Sequence, residues 1–134
     1  MSNQSEPRKD NVLEVFVQAA NKHNYNLDIT LNVKGAVITG TLVSAKEYFE
    51  SLSQAFEDGG DIAEKLSDML INAGEAADSD ANNTANFIHL TNTRVYCGDS
   101  KSTPSKGEFL WRGKLSEIDG FFLGRVVDGN SKSN

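Results

Sequence analysis

The segment Glu108–Val127, EFLWRGKLSEIDGFFLGRVV, constrains the fold of this chain more than any other. It holds the only Trp, an adjacent Phe pair and an Asp-Gly dipeptide between two apolar runs. Asp119-Gly120 in that setting predicts a tight β-hairpin, because such a turn needs positive φ at both central positions. The segment divides into strands over 108–112, 114–118 and 121–127, so the fold is expected to end in antiparallel sheet.

Upstream, Asp10 is placed to cap a helix over Asn11–Lys22, with Leu13, Phe16, Val17 and Ala20 at helical spacing. Leu27–Val33 alternates apolar and polar residues strictly, as a strand with one buried face does. Lys34-Gly35 marks a turn into a second strand, Ala36–Val43. Gly40 inside that strand signals a bulge or a close approach of backbones. Ser44-Ala45-Lys46-Glu47 is a capping box opening a helix over 45–57 that buries Tyr48, Phe49, Leu52 and Phe56. Gly59-Gly60 breaks it. Asp61 caps a third helix with Ile62, Leu66, Met69, Leu70 and Ala73 on one face. The stretch 78–86, DSDANNTAN, has almost nothing to bury and is expected to be a flexible connector. Short strands at 87–90 and 94–97 flank Thr91-Asn92-Thr93, and 98–107 is a polar loop.

These elements predict an α+β fold: an antiparallel sheet or small barrel with an N-terminal helix and a two-helix insertion between its β parts. The expected organisation is one domain over 10–127, with disordered tails at 1–9 and 128–134 and the helical insert and connector at 45–86. The 134 residues carry a net charge of −6. Residues 57–80 hold eight acids against the single Lys65, whereas 94–134 hold seven Lys/Arg against five acids. An acidic middle argues against a nucleic-acid binder, which needs a basic face. It suits contact with a basic partner or between copies. One cysteine cannot staple a fold, and no apolar run reaches the length of a membrane span, so a cytoplasmic protein is expected.

Residues suited to bond chemistry are sparse. His89 lies mid-strand, and a hydrogen-bonded structural histidine accounts for it better than a catalytic base. His23 at a helix end suits the helix dipole. Cys97 lies in no motif and is expected to be a small buried hydrophobe. Two histidines and one cysteine without ligand spacing make no zinc site. Glu117 and Asp119 fit solvent-facing positions near a turn better than a general acid and base. No catalytic residue, cofactor or metal is therefore assigned, and the chain is not expected to be an enzyme. Trp111 and Arg112 are neighbours on a strand and point to opposite faces. The predicted interaction surface is Trp111, Arg112, Lys114, Phe121 and Arg125, with Arg112, Lys114 and Arg125 as a cationic ridge.

The segments DNVLEVFVQAANKHNYNLDITLNVKGAVITGTLVSAKEYF, FIHLTNTRVYCGDSKSTPSKG and FLWRGKLSEIDGFFLGRV resemble the GvpU family of gas vesicle accessory proteins, over about residues 10–127. The resemblance implies a non-enzymatic role in gas vesicle assembly or clustering, through self-association and binding of shell or other gas vesicle proteins. It implies a homo-oligomer in the cytoplasm associated with gas vesicles. A second resemblance is topological: Gly35, Gly40 and Leu42 with the Arg112-Gly113 pair are similar to the halves of an Sm-like or SH3-like barrel split by an insert. It offers an alternative, an Sm-like RNA-binding module. Lys46 stands where that family carries an acid, which tells against RNA.

Overall fold

The computed structural model describes residues 9–56, 59–78, 85–98, 102–103 and 107–127. The tails predicted at 1–9 and 128–134 fall outside this set except for Lys9, as do most of the connector 78–86 and of the loop 98–107.

Three α-helices and five strands follow in the order α1 (Asn11–His23), β1 (Leu27–Val33), β2 (Ala36–Val43), α2 (Ala45–Ser53), α3 (Asp61–Asp78), β3 (Phe87–Tyr96), β4 (Phe109–Lys114) and β5 (Gly120–Leu123). Short 3-10 turns lie at Gln54–Phe56 and Leu115–Glu117. The architecture is α+β, with one antiparallel sheet in the order β4-β3-β2-β1-β5. No ladder joins β4 to β5, so the sheet is not closed into a barrel.

Local chemistry sets the element ends. The Asp10 carboxylate accepts from the Val12 and Leu13 amides, satisfying orphan donors at the start of α1. Asn24 ends α1 in the left-handed region, its amide donating to the Ala20 carbonyl. The Ser44 hydroxyl accepts from the Glu47 amide, so the serine half of the predicted capping box is present.

The core sits between α1 and one sheet face. Leu13, Val17 and Ala20 meet Ile29, Leu31, Ile38, Leu42, Ile88 and Leu90, and Leu115 closes one end. The opposite face is not left to water. Thr30 and Thr39 are buried there and share a 2.9 Å hydrogen bond. After β5 the chain crosses this threonine face: the Thr30 hydroxyl donates to the Gly124 carbonyl, and the Val126 amide donates to Thr39 Oγ1.

Two expectations are corrected. Asp119-Gly120 is not a hairpin turn, because β4 pairs with β3 while β5 pairs with β1 on the far edge. The 3-10 turn at Leu115–Glu117 makes that crossing. The tight turn with two positive φ values is Lys34-Gly35, at 53° and 88°. Asp119 instead braces it, its carboxylate accepting from the Lys34 amide at 2.7 Å while its own amide donates to the Asn32 carbonyl. Tertiary pairing overrides the local turn preference here. Likewise, 87–90 and 94–97 are not separate strands. They form one strand, β3, with a bulge near Asn92, whose φ is 52° and where the register to both β2 and β4 slips. Gly40 faces this bulge across the ladder: a Cβ there would lie 2.9 Å from the Thr91 carbonyl oxygen. It is the close-approach site that its sequence position suggests.

Candidate interaction surface

Trp111 and Arg112 do face opposite ways, and each is engaged. Trp111 is half-buried against the core, and its indole lies across Gly113 on the same strand face. A Cβ at Gly113 would come within 2.3 Å of Trp111 Cη2, so the Arg112-Gly113 pair has a steric cause: the glycine makes room for the ring.

On the other face, Arg112 sits opposite His89 in the β3–β4 ladder. Arg112 Nε donates to His89 Nε2 at 3.1 Å, and the guanidinium lies 3.8 Å over the Phe87 ring and 5.5 Å from that of Phe49. His89 is only 4% exposed and packs against the rings of Tyr48 and Phe49 from α2. Burial, helped by the Arg112 charge, pushes the imidazole down to about 4, so the ring is neutral at pH 7 and its Nε2 lone pair is free to accept. Nδ1 then carries the proton, and no hydrogen-bond acceptor meets it. Burial also raises the Tyr48 hydroxyl, against the Arg112 charge. The cluster is thus a joint between the α2–α3 insertion and the sheet. His89 is a buried partner of Arg112, in line with a structural histidine. Cys97 lies just beyond the other end of β3, roughly 25 Å away at 3.3 Å per residue, and the two form no dyad. Contrary to expectation, Cys97 is exposed. Among the described residues no group of three or more His, Cys, Asp and Glu could hold a metal ion.

The predicted surface residues lie on both faces of the sheet, Trp111 and Phe121 on the core side and Arg112 on the other. Arg125 bridges to Glu108 at 3.2 Å and donates to the Asn92 carbonyl at 2.7 Å, so it locks the segment after β5 over the β3 bulge. Lys114 is exposed at the end of β4. Phe121 packs edge-to-face against Phe16 of α1, 6.1 Å between centroids, on the core side. Glu117 pairs with Lys34 at 3.2 Å, so both acids of the 117–119 segment serve the β1–β2 turn. Lys9 and Glu14 tie α1 to the start of β3. Glu14 accepts from the Ala85 amide at 3.0 Å and pairs with Lys9 at 3.1 Å. The Ala85 hydrogen bond, with Lys9 behind it, holds the Glu14 carboxyl below its ordinary value against the opposing effect of burial.

Sequence reasoning missed where the apolar surface is exposed. Phe122 and Leu123 on edge strand β5 are about half exposed. More unusual is α3. Ile62 is 82% exposed, Met69 65% and Leu66 39%, so most of the apolar face picked out by helical spacing meets solvent, with Leu70 at its border half-buried. The face of α3 against α2 contains the buried Ser67 and Gly74 instead. The signal was present in the sequence: these small residues form a second stripe beside the large one, and small residues are what close helix packing requires.

A family model described as gas vesicle protein GvpU-like matches residues 10–126. The chain belongs to the GvpU-like family of gas vesicle proteins. That match spans every described helix and strand, including the α2–α3 insertion, so the exposed α3 stripe lies inside the family region. No curated relative and no solved structure matches the chain. No helix among the described residues is long and apolar enough to cross a membrane. Association with gas vesicles follows from membership of the GvpU-like family.

Proposed function

We propose that this GvpU-like protein acts in gas vesicle assembly or clustering, by self-association and by binding shell protein, and that it works through contact rather than catalysis. The observation that carries this reading is the family match together with apolar side chains held out in water on α3 and β5. Patches of that kind are what interaction sites are made of. The outer edges of β4 and β5, with no ladder beyond them among the described residues, offer a route for copies to associate in the cytoplasm around vesicles. Several weak contacts on one particle add up through effective concentration.

The rival reading, an Sm-like RNA-binding module, leans on the Arg112-Gly113 pair. Both residues have intramolecular partners, His89 with Phe87 and Trp111 respectively. With a net charge of −6 the contact reading is favoured.

Deleting the gene and imaging the cells by electron tomography tests the proposal. Fewer vesicles means assembly, and normal numbers scattered through the cell means clustering. Unchanged number and packing overturns it.

A further inference from the structure

Arg112 is held in place without a counter-charge. Its Nε donates to the neutral ring of His89, and its guanidinium lies 3.8 Å over Phe87. Among the described residues no carboxylate meets its two terminal amino groups. Lys114, two residues on along the same face of edge strand β4, is exposed and equally without an acid. At 3.3 Å per residue the two positions stand about 6.6 Å apart. Helix α3 carries the complementary pattern, on a face separate from its apolar row. At 3.6 residues per turn, Asp61, Glu64, Asp68 and Glu75 fall within an arc of about 60°, round the helix from Ile62, Leu66 and Met69. All four acids are exposed, and none has an ion-pair partner among the described residues. Glu64 and Asp68, about one turn apart, are separated by about 6 Å along the axis.

We infer that Arg112 and Lys114 form a docking site for the acidic face of α3 on a second copy of this chain. This contact deepens the self-association proposed in the preceding subsection, on which it rests, by naming the surfaces that meet. Charge and spacing select the occupant. One turn of helix sets two acids about 6 Å apart, close to the 6.6 Å or so between the two cations on the strand. With Nε given to His89, Arg112 still presents two amino groups side by side, the fork that grips a carboxylate with two hydrogen bonds. The Phe87 ring and His89 already restrict its rotamers, so little freedom is lost on docking. Lys114 adds a second positive charge beside it. A nucleic acid also offers closely spaced anions, but it would meet a chain of net charge −6. Each copy carries one cationic site and one acidic face, so copies can join in series. Exposed ion pairs are individually weak, and the contact holds where many copies gather on one particle.

The test is sedimentation of the purified full chain over a range of concentrations, at about 50 mM salt and at about 300 mM. Association is expected to weaken several-fold at the higher salt, and backbone amide shifts on concentration should fall on β4 and α3. Asp68→Lys is the decisive variant. It takes the net charge from −6 to −4, so whole-molecule repulsion alone would make it associate more tightly. Loss of the docked pair should instead weaken association about fivefold. Lys114→Glu should weaken it as much, with the far-ultraviolet circular dichroism unchanged in both. Lys114→Glu combined with Glu64→Lys, or with Asp68→Lys, returns the net charge to −6. One of these two combinations should restore association to within about twofold of the wild type. Asp68→Lys associating as well as the wild type, no restoration by either combination, or no association at any concentration overturns the inference. So does a labelled oligonucleotide that binds the wild type and not Lys114→Glu, which would make nucleic acid the occupant. Association that survives both single swaps overturns this site and leaves self-association standing on other surfaces, so the two readings fail separately.

Discussion

Helix α1 sends Leu13, Val17 and Ala20 into the sheet, none of them more than 1% exposed, whereas α3 turns Ile62, Leu66 and Met69 outward and places Ser67 and Gly74 against α2. Both helices are amphipathic, yet their large apolar residues do opposite things. In α1 the stripe is structural: it is the roof of the core. In α3 the close approach to α2 is at Gly74, with Leu70 and Ile71 half-buried, and Ile62, Leu66 and Met69 lie out in water. Periodicity therefore establishes that a segment is helical without establishing which side meets the protein.

The contrast can be broken most forcefully at Leu13. Leu13→Ala should cost about 2–5 kcal/mol in urea unfolding, the cost of emptying a well-packed site. A loss under about 0.5 kcal/mol would mean that α1 is no better anchored than α3.

The joint between insertion and sheet is tested by pH. His89 has its imidazole pushed down to about 4 in the fold, from an ordinary 6.5. Between those values the unfolded chain binds the extra proton and the fold does not. Stability should therefore be fully present above pH 6.5 and fall as pH drops toward 4, by up to about 3 kcal/mol if the whole shift is realised. Thermal unfolding midpoints across pH 7 to 4 measure it, and His89→Gln should flatten that part of the profile. The depressed Glu14 carboxyl gives a second, separate loss. Its contribution is present above the ordinary value of 4.5 and disappears at lower pH.

A smaller effect is expected on β4. Gly113→Ala should drive the Trp111 ring off the strand, cost about 1–3 kcal/mol, and shift the emission of the only tryptophan to longer wavelength. Unchanged emission would show that the ring does not rest on the glycine. The smallest effect belongs to α3. Ile62→Ser with Met69→Ser should change stability by no more than about 0.5 kcal/mol, as surface substitutions do. A loss of several kcal/mol would make that stripe part of the core and remove the contrast.

Much of this was legible in the residues. The Asp10 and Ser44 caps, the β1–β2 hairpin around Lys34-Gly35 and the tight spot at Gly40 all follow from local chemistry, and the structure has each of them. What failed was longer in range. Asp119-Gly120 has the composition of a hairpin, but its neighbours pair with strands at opposite edges, and no window of a few residues carries that information. The continuity of β3 through Asn92 was hidden because a bulge looks locally like a turn. The partners of Arg112 and Arg125, His89 and Glu108, are distant in sequence and were likewise invisible locally. Cys97 was expected to be buried from residue type alone, and its place at the end of β3 leaves it exposed.

The central claim is that the body folds independently of the α3 stripe and that the stripe serves contact with a partner. It is tested most directly by electron tomography of cells in which the Ile62→Ser/Met69→Ser chain replaces the original at equal abundance. The account predicts vesicles that are fewer or scattered, as in cells lacking the protein altogether. Vesicles matching the wild type in number and packing would contradict it.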